Sequence, residues 1–141
     1  MKIILDTNVF VAAKNRDDRR HSEALALIEN TDEGRLRCVV PTLVIAELCT
    51  GYHQMGDAEE ADELLTGFIT SPNYEIAPLD HKTACEAGRL RAELGLKLPD
   101  AIIVATALTT NSNAIVTYDV EMAKSEPYVK VVEPSKVRVR R

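Results

Sequence analysis

Lys2-Ile3-Ile4-Leu5-Asp6-Thr7-Asn8 is the stretch on which the reading of the fold turns. A short apolar run, with no polar alternation, leads straight into an acid. A strand with one wet face alternates apolar and polar side chains, whereas a strand covered on both faces does not. Lys2–Leu5 therefore reads as an interior strand of a parallel sheet. Asp6 stands at its carboxyl end, and Thr7 and Asn8 are natural caps for a helix that follows.

The rest of the chain repeats this unit. His21 to Asn30 spaces Ala24, Leu25, Leu27 and Ile28 as a helix, and Gly34 closes the loop behind it. Cys38-Val39-Val40 is a second strand. Pro41 opens a helix to about Met55, at the position where proline is best tolerated. Asp57 caps the next helix, which carries Ala58, Ala61, Leu64, Leu65, Phe68 and Ile69 on one side and Glu59, Glu60, Asp62 and Glu63 on the other. After the turn Ser71-Pro72-Asn73, Tyr74–Ala77 forms a third strand. Asp80 caps a long helix to about Leu94, ended by Gly95. Leu98–Leu108 is a strongly apolar helix, Ala114–Val116 a fourth strand and Val129–Val132 a fifth. Short strands alternating with helices predict an α/β fold with a central, mostly parallel five-stranded sheet flanked by helices. One domain over residues 1–134 accounts for this pattern. Residues 135–141 form a basic tail expected to fray.

The bulk numbers agree with a single domain. A chain of 141 residues can bury roughly 68% of the surface its unfolded form exposes. It needs no disulfide or structural zinc to fold. Cys38, Cys49 and Cys85 are odd in number and widely spaced, which predicts free thiols in a reducing cytoplasm rather than bridges or zinc ligands. No run approaches the ~20 apolar residues of a membrane span. Aromatic residues make up 4% and Trp is absent, which argues against recognition of single strands by base stacking. The net charge of −5 runs against a general polyanion-binding surface. Clustered carboxylates that hold cations reconcile an acidic chain with a phosphate-bearing substrate.

Four acids interrupt or terminate the most apolar segments: Asp6, Glu47, Asp100 and Asp119. In an α/β sheet, ligands bind outside the carboxyl ends of the strands, and Asp6 and Asp119 lie at two such ends. Glu47 is the single charge within Leu43–Cys49. At roughly 100° per helical residue it falls between the directions of Leu43 and Val44, which predicts a buried carboxylate with Gly51 leaving space beside it. An unpaired buried charge costs several kcal/mol, so such a group is paired or bound to metal. Asp100 sits in the first turn of the apolar helix, where the helix dipole favours an acid by ~0.3–1 kcal/mol. Taken singly, Asp6 also reads as a helix cap, Asp119 as a turn residue and Asp100 as a first-turn acid. Together they form an oxygen-only donor set, which selects a hard cation, Mg²⁺ or Mn²⁺, over Zn²⁺.

With those segments in place, the chain resembles the PIN-domain family. The first family motif is matched by Ile4-Leu5-Asp6-Thr7-Asn8-Val9. Glu47-Leu48-Cys49-Thr50-Gly51 matches the second, and Leu98-Pro99-Asp100-Ala101-Ile102-Ile103-Val104-Ala105-Thr106-Ala107 the third. Thr117-Tyr118-Asp119 stands where the family often has Thr-Asn-Asp. In size the chain is similar to the VapC-type toxins of toxin–antitoxin pairs. The resemblance implies a PIN-like three-layer sandwich and Mg²⁺- or Mn²⁺-dependent endoribonuclease activity that leaves a 5′-phosphate. It also implies a cognate antitoxin that blocks the site, and a homodimer. On that reading Asp6, Asp100 and Asp119 hold metal, Glu47 ligates it or positions the attacking water, and Thr7, Asn8 and Thr117 support them. Arg16, Arg19 and Arg20 are candidates to track an RNA backbone, although solvated charge explains them too. The apolar stripe from Ala58 to Ile69 is either core or the seat of an antitoxin helix. Other implied roles are a PIN nuclease of RNA processing or a non-catalytic binding domain. A haloacid-dehalogenase-like phosphatase wants Asp-x-Asp after the first strand, which Asp6-Thr7-Asn8 does not supply, and a receiver domain wants an acidic pair there.

Overall fold

The computed structural model describes residues 1–139. Its elements are β1 (Lys2–Leu5), α1 (Thr7–Lys14), α2 (His21–Asp32), β2 (Arg37–Pro41), α3 (Thr42–Gln54) and α4 (Ala58–Thr70). There follow β3 (Tyr74–Ala77), α5 (His81–Leu94), α6 (Leu98–Thr109), β4 (Ala114–Val116), a 3₁₀ turn (Val120–Ser125), β5 (Lys130–Val132) and a second 3₁₀ turn (Pro134–Lys136). The five strands lie in the order β3-β2-β1-β4-β5. All four pairings are parallel, so the sheet has no antiparallel edge strand.

The apolar runs explain this arrangement. Ile3, Ile4 and Leu5 of β1 are fully buried, as are Val40 of β2 and Ile115 and Val116 of β4. Each such side chain contributes roughly 1.5–3 kcal/mol by leaving water. Helix α6 buries seven consecutive residues, Ala101–Ala107, because it is enclosed on every side rather than along one stripe. Gly95 ends α5 with φ +68°, the left-handed cap that glycine adopts without a Cβ clash.

The chain moves outward from β1 to β2 to β3, then returns across the sheet to β4 beside β1. Right-handed crossovers place α1–α4 on one face and α5 and α6 on the other. The direction of winding reverses between β1 and β4. Such a reversal predicts a ligand crevice at the carboxyl ends of those two strands, which pair at Leu5 and Val116.

Several expectations need correction or detail. The side chain of Asp6, rather than Thr7 or Asn8, caps α1: its Oδ1 accepts from the Thr7 N–H at 2.8 Å, and Thr7 and Asn8 lie inside the helix. The stripe on α4 divides. Ala61 and Phe68 are buried, Leu64 packs against the core, and Leu65 and Ile69 are exposed. Beyond β5, Pro134 is buried and Val137 and Val139 pack on the core, while Arg140 and Arg141 lie outside the described residues. Cys38, Cys49 and Cys85 are free thiols. No helix among the described residues is long and apolar enough to cross a membrane.

Candidate active site

Thr117 is the junction of the crevice. It follows β4, is buried, and its hydroxyl donates to Asp6 Oδ2 at 2.7 Å. The same oxygen accepts from Asn8 Nδ2 at 3.2 Å and from the Asp119 N–H at 3.0 Å. One donor and two lone pairs are thus all used. Asn8 extends the web: its Nδ2 lies 3.4 Å from Asp6 Oδ2, and its Oδ1 accepts from the Tyr118 N–H at 3.1 Å. Two chain segments far apart in sequence, the start of α1 and the end of β4, are therefore locked together by side chains as well as by the sheet.

The four acids enter from four elements. Asp6 comes from the end of β1 and is only 6% exposed. Asp119 follows β4, with Oδ1 accepting from the Glu121 N–H at 3.0 Å. Asp100 projects from the first turn of α6. Glu47, on α3, accepts the Thr7 hydroxyl at 2.8 Å, which gives Thr7 its part in the site. The predicted burial of Glu47 is wrong: it is exposed. Helix α3 buries only Val44 and Leu48, because the sheet covers one narrow side of it. Glu47 instead stands at the rim of a cleft that also takes in Phe10, Val11, Gly51, Tyr52 and Met55.

Electrostatics show that the acids share one field. Burial raises the Asp6 carboxyl above its ordinary range. The hydrogen bonds from Thr117 and Thr7 pull it back, and the charges of Glu47 and Asp119 push it up again. Asp100 is pushed up to about 6, first by burial, then by Asp119 and Asp6, with Glu47 adding a little and Lys97 opposing. Lys97 immediately precedes α6 and has no signature in the sequence, because lysines before helices are common.

Among the described residues, no three His, Cys, Asp or Glu side chains converge closely enough to form a ready-made metal cage. The donor set nevertheless fits a hard divalent cation. It consists of carboxylate oxygens alone, and mutual repulsion of these carboxylates adds to burial in lifting Asp100 and Asp6.

This repulsion makes a prediction for protein free of metal. A carboxyl whose pKa rises on folding holds its proton more tightly in the folded state. Its stabilising contribution is complete below the unfolded value of 3.8 and is lost as pH rises through about 6. In EDTA, Asp100→Asn is therefore expected to raise the melting temperature relative to wild type at neutral pH, and to raise it less in acid. A wild-type-minus-variant difference that is flat in pH would contradict this.

Of the basic candidates, Arg16 and Arg19 are exposed. Arg20 is already engaged: its Nε and Nη2 donate to Asp18 at 3.2 and 3.3 Å. Its guanidinium also lies over the Tyr118 ring, 4.0 Å from the centroid. Arg20 thus fixes Tyr118, the residue between Thr117 and Asp119. Among the described residues the Tyr118 hydroxyl is buried without a partner, and burial together with Glu23 pushes it up to about 12. Tyr118→Phe removes an unpaired buried hydroxyl and is expected to stabilise the fold by about 1–3 kcal/mol, whereas Tyr118→Ala loses the cation–π contact, worth ~0.5–1 kcal/mol, besides ring packing. Urea melts of the two variants check this. His21 is structural, with Nδ1 3.0 Å from the Ala12 carbonyl, and His53 and His81 are exposed.

Comparison with known proteins adds the following. The PIN-domain profile matches residues 3–126. No curated protein matches the chain. Among solved structures, a chain of VapBC2 from Rickettsia felis, bound to a DNA fragment from its promoter, is 23% identical with TM-score 0.71, covering 94% of this chain and 98% of that one. FitAcB from Neisseria gonorrhoeae is 20% identical with TM-score 0.72, covering 96% and 99%. VapC20 of Mycobacterium tuberculosis, a toxin that cleaves the sarcin–ricin loop, is 18% identical with TM-score 0.69, covering 92% and 98%. At these identities the likeness is one of fold.

Proposed function

The chain belongs to the PIN-domain family, and from that premise we propose that it is a divalent-metal-dependent endoribonuclease, the toxin of a toxin–antitoxin pair. What supports the reading is that the single hydroxyl of Thr117 braces Asp6 and Asp119, while the charges of both, and of Glu47, act on Asp100. The kinship in fold with VapBC2, FitAcB and VapC20 supports the toxin part of the reading.

In this mechanism Asp6, Asp100 and Asp119 would hold Mg²⁺ or Mn²⁺. The bound ion supplies a water of lowered pKa and positive charge for the phosphate oxygens. The rest falls to the chain itself. Thr117 and Asn8 hold Oδ2 of Asp6 and the Thr7 N–H holds Oδ1, which fixes the orientation of the carboxylate. Glu47, exposed and steadied by Thr7, is placed to accept a proton from a water that attacks phosphorus. Arg16 and Arg19 lie exposed just beyond α1 and are free to meet the RNA backbone.

The partner reading centres on the cleft beside Glu47 rather than on the full stripe of α4. Val11 and Met55 line that cleft and are 52% and 78% exposed. Glu60, in the first turn of α4, also lines it. An antitoxin helix with an apolar stripe and a basic flank suits this chemistry.

The test is cleavage of a mixed pool of structured RNAs by purified protein with Mn²⁺ and with EDTA. Cleavage only with the ion is expected. Cleavage that persists in EDTA, or none with an RNA pool that includes ribosomal RNA, would overturn the reading.

A further inference from the structure

Strand β5, at the edge of the sheet, separates two clefts. One opens beside Asp119 and Tyr118 and reaches Lys130, Val132 and Lys136; Glu126 and Glu133 also line it. The other lies along the side of β1, β4 and β5. It is lined by Ile3, Val116 and Val132 together with Lys130, Lys136 and Arg138, and no carboxylate among the described residues lines it. Lys130, Val132 and Lys136 line both clefts, so the two adjoin along β5.

In a chain of net charge −5, a cleft with three cations and no acid concentrates positive potential. Among the described residues, none of the three forms an ion pair, whereas Lys2, Lys14, Arg20, Arg35, Arg89 and Lys124 all do. Lys136 and Arg138 are also held in place. Pro134 is buried, the Lys136 N–H donates to the Glu133 carbonyl at 3.0 Å, and Val137 packs on the core between them. A lysine on an edge strand discourages pairing with another sheet. That role accounts for Lys130 but not for Lys136 or Arg138, which lie on no strand.

We propose that this cleft binds the backbone of the RNA substrate as a single strand, with phosphates on Lys130, Lys136 and Arg138 and the chain leading past Val132 to the acids at Asp119. Identifying the strand as substrate RNA rests on the nuclease reading above. The floor of the second cleft is aliphatic, with no aromatic ring among the described residues that line it. The cleft therefore supplies affinity rather than sequence preference. Glu126 and Glu133 line only the first cleft, so the potential grows more positive in the second.

The experiment is fluorescence anisotropy of a short labelled single-stranded RNA across a salt series, in EDTA so that no cleavage occurs. Wild type is compared with Lys130→Ala/Lys136→Ala/Arg138→Ala and with the control Lys82→Ala/Arg91→Ala on α5. Each phosphate contact on a single strand adds roughly 0.7 to the slope of log affinity against log salt. The triple variant should therefore lose roughly 2 from that slope and weaken binding on the order of tenfold, and the control should change neither. Should the triple variant melt early, Lys136→Gln/Arg138→Gln leaves β5 intact and should still lose roughly 1.4. An unchanged slope and affinity in the cleft variants, or no binding by wild type, overturns the proposal. The nuclease reading fails by a different result, the absence of metal-dependent cleavage by wild type.

Discussion

Asp100→Asn is expected to lower metal-dependent RNA cleavage by about 10²–10³-fold while the protein stays folded. The carboxylate is acted on by burial and by the charges around it alone, so it braces no other part of the structure. It sits at the start of α6, whose packing depends on Ala101–Ala107. Asparagine keeps the shape and removes the charge. The fold should therefore lose nothing, and should gain where repulsion from Asp119 and Asp6 is relieved. The site loses one of the anionic oxygens that hold the cation. A catalytic ion stabilises the charge in flight by several kcal/mol, and each 1.36 kcal/mol is about tenfold in rate. Initial rates in Mn²⁺, paired with circular dichroism of the same samples, check both halves. Wild-type rates in the variant would remove Asp100 from the mechanism.

The second large effect is expected at a residue that touches no substrate. Thr117→Val keeps the size and branching of the side chain but removes the hydroxyl that donates to Asp6 and accepts from Asn8 and from the Asp119 N–H. Leaving such buried groups unpaired costs about 1–3 kcal/mol. Freeing a ligand carboxylate from its support typically costs 10–100-fold in metal affinity or activity. Both losses should appear together in Thr117→Val, as an earlier urea midpoint and a higher Mn²⁺ requirement. Thr117→Ser, which keeps the oxygen, should restore most of the Mn²⁺ response. If Val and Ser behave alike, the hydroxyl is not the junction.

The central strands were legible because β1, β2 and β4 are short buried apolar runs, β1 ended by the cap Asp6 and β2 by Pro41. Parallel order followed from the missing alternation in Ile3-Ile4-Leu5. Position at the carboxyl end of β1 or β4 identified Asp6 and Asp119, since topology alone brings those ends to one crevice. Glu47 shows where the reasoning ran out. Helical periodicity records which residues are apolar, but not how wide a side of the helix the sheet will cover, and α3 leaves Leu43 and Ile45 only half-buried. The clamp of Arg20 on Tyr118 joins elements distant in sequence, and no local pattern announces it. The cationic cleft was half visible as a basic tail. What turned charge into a lined surface was Val137 and Val139 packing on the core, which a valine–arginine alternation does not reveal.

The claim at the centre of this account is that Asp6, Glu47, Asp100 and Asp119 serve one metal site. Calorimetric titration of Mn²⁺ into metal-free wild type, Asp6→Asn and Asp100→Asn tests it most directly, because it reads the ion itself and needs no knowledge of the RNA target. The account predicts saturable binding to wild type that either substitution weakens at least about tenfold. Equal binding to all three proteins, or no binding to wild type, would contradict it.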